Sequence, residues 1–163
     1  DEVSLGRVAD GLGVQASALY THLEGADGLR HELAVRATEN LASTLRDAAV
    51  ARSGTDAVRA VANAYRTFAA DHPGQYASTL LPPADAEDQL RSDNWAITGL
   101  FVQILFAFDI EGDHAVHTAR ALRSAIHGFV ALETVDAFGQ PQPTDASFEH
   151  LIELIVAGAR ATA

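Results

Sequence analysis

A glycine at position 13, set between two short segments with apolar residues, constrains the fold of this chain more than any other feature. Without a Cβ, Gly13 can adopt a positive φ at little cost, so it suits a sharp reversal after a helix. Ala9 lies one turn earlier, where a small side chain lets a second helix cross closely. Val14 and Leu19 follow and would supply the apolar contacts of that second helix. The spacing over residues 7–22 therefore predicts a helix-turn-helix.

The rest of the chain has the apolar periodicity of α-helices. From Leu29 onward, apolar residues recur every three or four positions, and no segment alternates as a half-buried strand does. Breaks fall at His72-Pro73-Gly74, at Pro82-Pro83 and over residues 139–143. The sequence predicts an all-α fold with a helix-turn-helix head, residues 1–36, and a helical body, residues 37–163.

Residues 14–23, Val-Gln-Ala-Ser-Ala-Leu-Tyr-Thr-His-Leu, followed by Leu29 and a long amphipathic helix, resemble the DNA-binding head of the TetR family of transcriptional regulators. The resemblance implies a small DNA-binding head, a larger helical body that senses a ligand, and a homodimer. Family members have a further helix before this point. We therefore expect the head to be incomplete at its N-terminus, with its first helix missing.

The resemblance also implies which residues contact a double-stranded DNA operator. Tyr20 and His22 match positions that face phosphates, although both side chains could instead only pack the head. Four residues at the exposed start of the second helix would reach base edges in the major groove. These are Gln15, Ala16, Ser17 and Thr21. Gln15, Ala18 and Ala26 differ from the residues that are usual in the family.

The charge of the chain leaves two interpretations of this head open. The net charge is −11, and even the first 36 residues are acidic. Phosphate neutralisation supplies much of the affinity in most protein–DNA complexes, and an acidic surface opposes it. Either the basic start of the head is missing from the chain, which we favour, or DNA binding is weak or lost.

Residues 123–133, Arg-Ser-Ala-Ile-His-Gly-Phe-Val-Ala-Leu-Glu, are similar to the body of the TetR subgroup named for a Trp-His-Gly motif. Ile126 stands at the tryptophan position. The resemblance implies that this helix and the last one pair with their copies in a second subunit as a four-helix bundle. The expected contact residues are Ile126, Phe129, Ile152 and Ile155. The alternative is that these four belong to the core of one chain.

A ligand pocket is expected inside the body, among aromatic and aliphatic residues. Its candidate residues are Phe68, Tyr76, Trp95, Val102, Phe106 and His127. Such walls suit a small apolar effector, although the same residues at helical spacing could equally be plain core. The imidazole of His127, on an otherwise apolar face, needs a partner from the protein or from a ligand.

Composition and motifs argue against several other classes of protein. The chain has no cysteine, so it forms neither disulfides nor thiolate metal sites. It shows no signal segment, and its most apolar stretch, residues 95–108, is too short to span a bilayer. A cytoplasmic protein without a membrane partner is expected.

No phosphate loop, nucleophile elbow or catalytic carboxylate pair is present either, which predicts a protein that is not an enzyme and needs no cofactor. His114 and His117, beside Glu111 and Asp113, have a spacing that could bind a metal, but a solvated helix start explains it as well, and no metal site is predicted.

The function that fits best is a repressor released from DNA when a small apolar effector enters the body. The alternative is a helical module that binds a small molecule or a protein and has weak or lost DNA binding.

Overall fold

The protein folds as an assembly of α-helices. A computed structural model describes residues 4–21, 23–80 and 89–162, with the backbone alone at 89–91, 93 and 162. Over these ranges the chain contains no strand, which confirms the all-α prediction. The helices are α1 (Leu5–Leu12), α2 (Ala16–Leu19), α3 (Gly25–Ala49), α4 (Gly54–Asp71), α5 (Pro73–Ser78), α6 (Gln89–Leu105), a 3₁₀ turn (Phe106–Phe108), α7 (Gly112–Thr134) and α8 (Thr144–Thr162). The predicted break at Pro82-Pro83 lies outside the described residues.

Helix α3 joins the head to the body. At its start it packs against α1, and further along it packs against α4, α5 and α6. It runs without interruption through residue 36, so the proposed division of the chain after that residue falls within one continuous helix. The boundary between head and body stays a prediction.

The buried face of α3 is made of small residues near the head and of leucines deeper in the body. Its buried positions recur every three or four residues, as expected of one helical face. They are Ala34, Ala37, Thr38, Leu41, Ala42 and Leu45. The hydroxyl of Thr38 donates to the carbonyl of Ala34 at 2.8 Å, so its burial leaves no unpaired donor. Small side chains let neighbouring helices approach α3 closely.

The body core forms where α4, α5 and α6 pack against α3, with α7 packed on α4 and α6, and α8 packed on α4 and α7. Large apolar side chains fill its centre. The largest fully buried side chains are Tyr65, Phe101, Phe148, Leu41, Leu45, Ile97, Leu105, Ile110, Ile126, Ile152 and Val58. Two of these, Ile126 and Ile152, were expected to contact a second subunit.

None of the described helices is by itself long and apolar enough to cross a membrane. Within the described residues, one pair of segments, 94–108 and 112–134, is long and apolar enough when taken together, but the two segments are bent by 115° relative to each other.

Replacing Leu41 with alanine should lower the free energy of unfolding by about 2–5 kcal/mol, because a fully buried leucine leaves a cavity in the core. The matched control is Leu33→Ala in the same helix, where the side chain is exposed and the expected change is about 0.5 kcal/mol. Urea unfolding followed by circular dichroism, at equal protein concentrations, measures both. Equal losses for the two variants would contradict the core position of Leu41.

Candidate functional site

The reversal between α1 and α2 has the geometry expected of a glycine turn. Gly13 has φ 67° and ψ 28°, in the left-handed region. Its N–H donates to the carbonyl of Asp10 at 3.2 Å, and the N–H of Val14 donates to the carbonyl of Ala9 at 3.0 Å. These two bonds are those of a Schellman motif, which satisfies the last carbonyls of α1. Ala9 is buried, as predicted, whereas Val14 is 44% exposed and contributes less packing than expected.

Helix α2 and the turn after it present polar and aromatic side chains to solvent. Gln15, Ser17 and Thr21 are exposed, and Tyr20 is 61% exposed, which is large for an aromatic residue. Ala16 is half-buried. The helix ends at Leu19, so Thr21 lies in the following turn, where its hydroxyl donates to the carbonyl of Ala18 at 2.6 Å. His22 lies outside the described residues.

A second site is an open cavity of about 330 Å³ in the body. Helices α4, α6 and α7, with the residues after α5, form its walls. The lining residues are Tyr65, Leu80, Thr98, Arg120, Arg123, Ser124 and His127. Apolar surface is therefore interleaved with hydroxyls, an imidazole and two guanidinium groups.

His127 connects this cavity to α5. Its Nδ1 lies 2.5 Å from the hydroxyl oxygen of Tyr76, and the two rings are 5.6 Å apart. Burial lowers the pKa of His127, and the positive charge of Arg123 lowers it further, so the imidazole is neutral near pH 7. Burial also raises the pKa of Tyr76. The phenol is therefore protonated and the imidazole neutral, and a short hydrogen bond joins the Tyr76 hydroxyl to Nδ1.

Arg123 lies at the same wall and bonds to uncharged groups. Its Nη2 donates to Oδ1 of Asn94 at 2.7 Å, and its Nη1 donates to the Asn94 carbonyl at 3.4 Å. Burial raises the pKa of Tyr65, and the positive charge of Arg123 partly offsets that rise. Arg123 therefore holds a positive charge at the cavity wall.

The structure brings only part of the predicted ligand set to this cavity. His127 lines it, and the buried Tyr76 hydrogen-bonds His127. Phe68 is buried in the core and Val102 is half-buried against it. Trp95 and Phe106 are 54% and 52% exposed, so they do not enclose an internal pocket.

The expected ligand set consisted mainly of aromatic and aliphatic residues, and of the polar residues that line the cavity it included only His127. Arg120, Arg123 and His127 follow one another at intervals of three and four residues, so they share one face of α7. That basic spacing was the available signal in the sequence.

The expected subunit-contact residues divide between the core and the surface. Ile126 and Ile152 are fully buried within the chain itself, so they cannot face a partner, because an interior position and an interface position share the same apolar pattern. Phe129 is half-buried against Phe138 and Phe148, with ring centroids 4.7 and 5.0 Å away.

Ile155 alone of the four lines an outer groove, of about 470 Å³, between α7 and α8. The other lining residues are His117, Thr118, Ala121, Leu122, Ala125, Leu154, Gly158 and Ala159.

The acidic and histidine residues near the start of α7 do not assemble into a metal site. In the part of the chain that the structure describes, no three His, Cys, Asp or Glu side chains come close enough together to hold a metal ion.

Comparison with known proteins identifies the family. A family model described as "Tetracyclin repressor-like, C-terminal domain" matches residues 58–155. The uncharacterized HTH-type transcriptional regulator YobS of Bacillus subtilis (strain 168) is 32% identical over 158 residues, which are 96% of this chain and 81% of YobS. The uncharacterized HTH-type transcriptional regulator Rv0681 of Mycobacterium tuberculosis (strain ATCC 25618 / H37Rv) is 28% identical over 159 residues, 97% of this chain and 72% of Rv0681.

Two solved structures share the fold. SCO4313 superposes with a TM-score of 0.79 at 24% identity, over 94% of this chain and 85% of that one. A protein from Rhodococcus sp. RHA1 gives a TM-score of 0.78 at 24% identity, over 96% of this chain and 84% of its own. Since the body matches the family model over more than half of the chain and YobS is similar across head and body, the chain belongs to the TetR family of HTH-type transcriptional regulators.

Proposed function

We propose that the chain binds a DNA operator as a homodimer and represses transcription until a small effector enters its body. The observation that carries this proposal is the reversal at Gly13, after which Gln15, Ser17 and Tyr20 are exposed. Side chains in that arrangement can enter a major groove or contact the flanking phosphates. The protein would act by binding and not by catalysis.

The outer faces of α7 and α8 support dimer formation. Each helix buries one stripe in the core and carries a second stripe of small or apolar residues on the outside. On α7 this stripe is Ala121, Ala125, Gly128 and Leu132, and on α8 it is Leu151, Leu154 and Gly158. Space around Gly128 and Gly158 is open, so a partner helix can approach closely at both. Two such helices from each copy would form a four-helix bundle.

This arrangement differs from the one expected from the resemblance to the Trp-His-Gly subgroup. The proposed contact is made by the outer stripe, with Ile155 at its edge, and not by Ile126 or Ile152. Membership of the subgroup itself stays a prediction.

A route from the cavity to the head runs through α5 and α3. Tyr76 on α5 bonds to His127 at the cavity, and Gln75 on the same helix accepts from the Asn40 amide of α3 at 3.0 Å. Because α3 is continuous from the head into the body, a shift of α5 can tilt the head. In a dimer, a tilt changes the separation of two heads that must reach grooves about 34–36 Å apart.

Replacing Gln15 with alanine should weaken binding to the DNA upstream of the chain's own gene about tenfold, because a glutamine paired to a base edge contributes about 1–3 kcal/mol of discrimination. The Gln15 side chain makes no helix-capping bond, so the fold should be unaffected. The matched control is Gln142→Ala, at an exposed position between α7 and α8, which should leave the affinity unchanged. Fluorescence anisotropy at several salt concentrations measures the affinities.

If the unaltered protein shows no salt-sensitive, sequence-preferring binding, the alternative is favoured: a helical module for a small molecule or a protein, with weak or lost DNA binding. Equal affinities for the Gln15 and Gln142 variants would exclude Gln15 from the contact.

Replacing Leu154 with glutamate should dissociate the dimer, because a charge would be buried between two outer stripes. Leu154 is 57% exposed, so the isolated chain should still fold. The control is Val50→Glu, which places the same charge at a 66% exposed position at the end of α3. Sedimentation equilibrium should give twice the chain mass of 17.2 kDa for the control and 17.2 kDa for the Leu154 variant. A dimer that survives Leu154→Glu would place the interface elsewhere.

A further inference from the structure

We propose that the effector is a small organic anion whose carboxylate binds Arg123 in the body cavity, with its apolar part against Tyr65 and Leu80. This inference rests on the proposed function of the cavity as the effector site, and it replaces the purely apolar effector expected from the sequence.

Arg123 differs from the other half-buried arginines in its partners. Arg66 pairs with Glu133 at 2.5 Å and with Asp145 at 2.7 Å, and Arg59 pairs with Glu149 at 3.0 Å. The hydrogen bond from Arg66 lowers the pKa of Glu133, as expected of a formed ion pair. Among the described residues, no carboxylate lies within ion-pair distance of Arg123, which donates to the uncharged oxygens of Asn94.

A half-buried guanidinium without a counter-charge is costly, and it gains most from an anion. Its five N–H donors form a planar fork that matches a carboxylate in two parallel bonds. The bonds to Asn94 hold the fork in place without neutralising it. A carboxylate would therefore meet a donor group that is already oriented.

The rest of the cavity lining also favours a negatively charged ligand. Among the residues that the structure describes, those lining the cavity include two arginines and one histidine and no acidic residue, although the chain as a whole has 22 acidic and 11 basic residues. The hydroxyl of Ser124 and the imidazole of His127 add further polar groups.

The dimensions of the cavity point to a small molecule. Its volume of about 330 Å³ is near the lower end of the usual range for ligand sites. Leu80 and the ring of Tyr65 offer apolar surface beside the polar groups. An aromatic acid or a short-chain acid fits this combination, whereas a long lipid chain does not.

Isothermal titration calorimetry of the full chain tests the proposal with benzoate, phenylacetate and hexanoate, each compared with its neutral amide. At least one acid should bind, and its amide should bind at least tenfold more weakly. Arg123→Gln should weaken binding of that acid at least tenfold, and Arg123→Lys, which keeps the charge but loses the fork, should weaken it less. The matched control is Arg46→Gln, at an exposed position on α3, which should change nothing.

The inference is overturned if none of the acids binds, if the amides bind as well as the acids, or if Arg123→Gln binds like the unaltered protein. Should Arg123→Gln fail to fold, the comparison of acid with amide on the unaltered chain still decides. Because no DNA is present, the outcome is separate from that of the proposed function. If an anion binds but the chain has no affinity for DNA, the anion site is supported and the proposed function as a DNA-binding regulator is refuted. A chain that binds DNA but none of the anions supports the proposed function and refutes this inference.

Discussion

The close packing of α3 against the body is the constraint on which the rest of the structure depends. Ala34, Ala37 and Ala42 leave little side-chain bulk between α3 and its neighbours, and Leu41 and Leu45 fill the space further along. A helix packed in this way joins the helix-turn-helix at its start to the body core along its length.

The sequence predicted the helical architecture well because that architecture follows from local patterns. The positive φ of Gly13, the buried Ala9 and the apolar faces of α4, α6, α7 and α8 are each encoded within a few neighbouring residues. The predictions that failed also have a physical cause. Periodicity marks a residue as buried without saying what buries it, and for that reason Ile126 and Ile152 were assigned to a partner when they pack inside one chain.

The body cavity could not be predicted in the same way, because its lining comes from segments that are far apart in sequence. Tyr65, Thr98 and Arg123 belong to three different helices, and only the folded chain brings them together. The sequence also does not show whether a large aromatic side chain is buried or exposed. Trp95 and Phe106 were plausible walls of a ligand pocket, but about half of each residue is exposed to solvent. The residues proposed for DNA contact, from Gln15 to Thr21, are contiguous, so a local pattern was enough to propose them.

Helix α7 presents three different faces within its 23 residues. One face is buried in the core, a second forms the outer stripe of small residues, and the third carries the arginines and histidine of the cavity. Other positions, such as Asp113 and His114 in the first turn, are exposed to solvent. A library of random single substitutions should therefore be depleted at the core and cavity positions of α7, and should vary freely in its first turn.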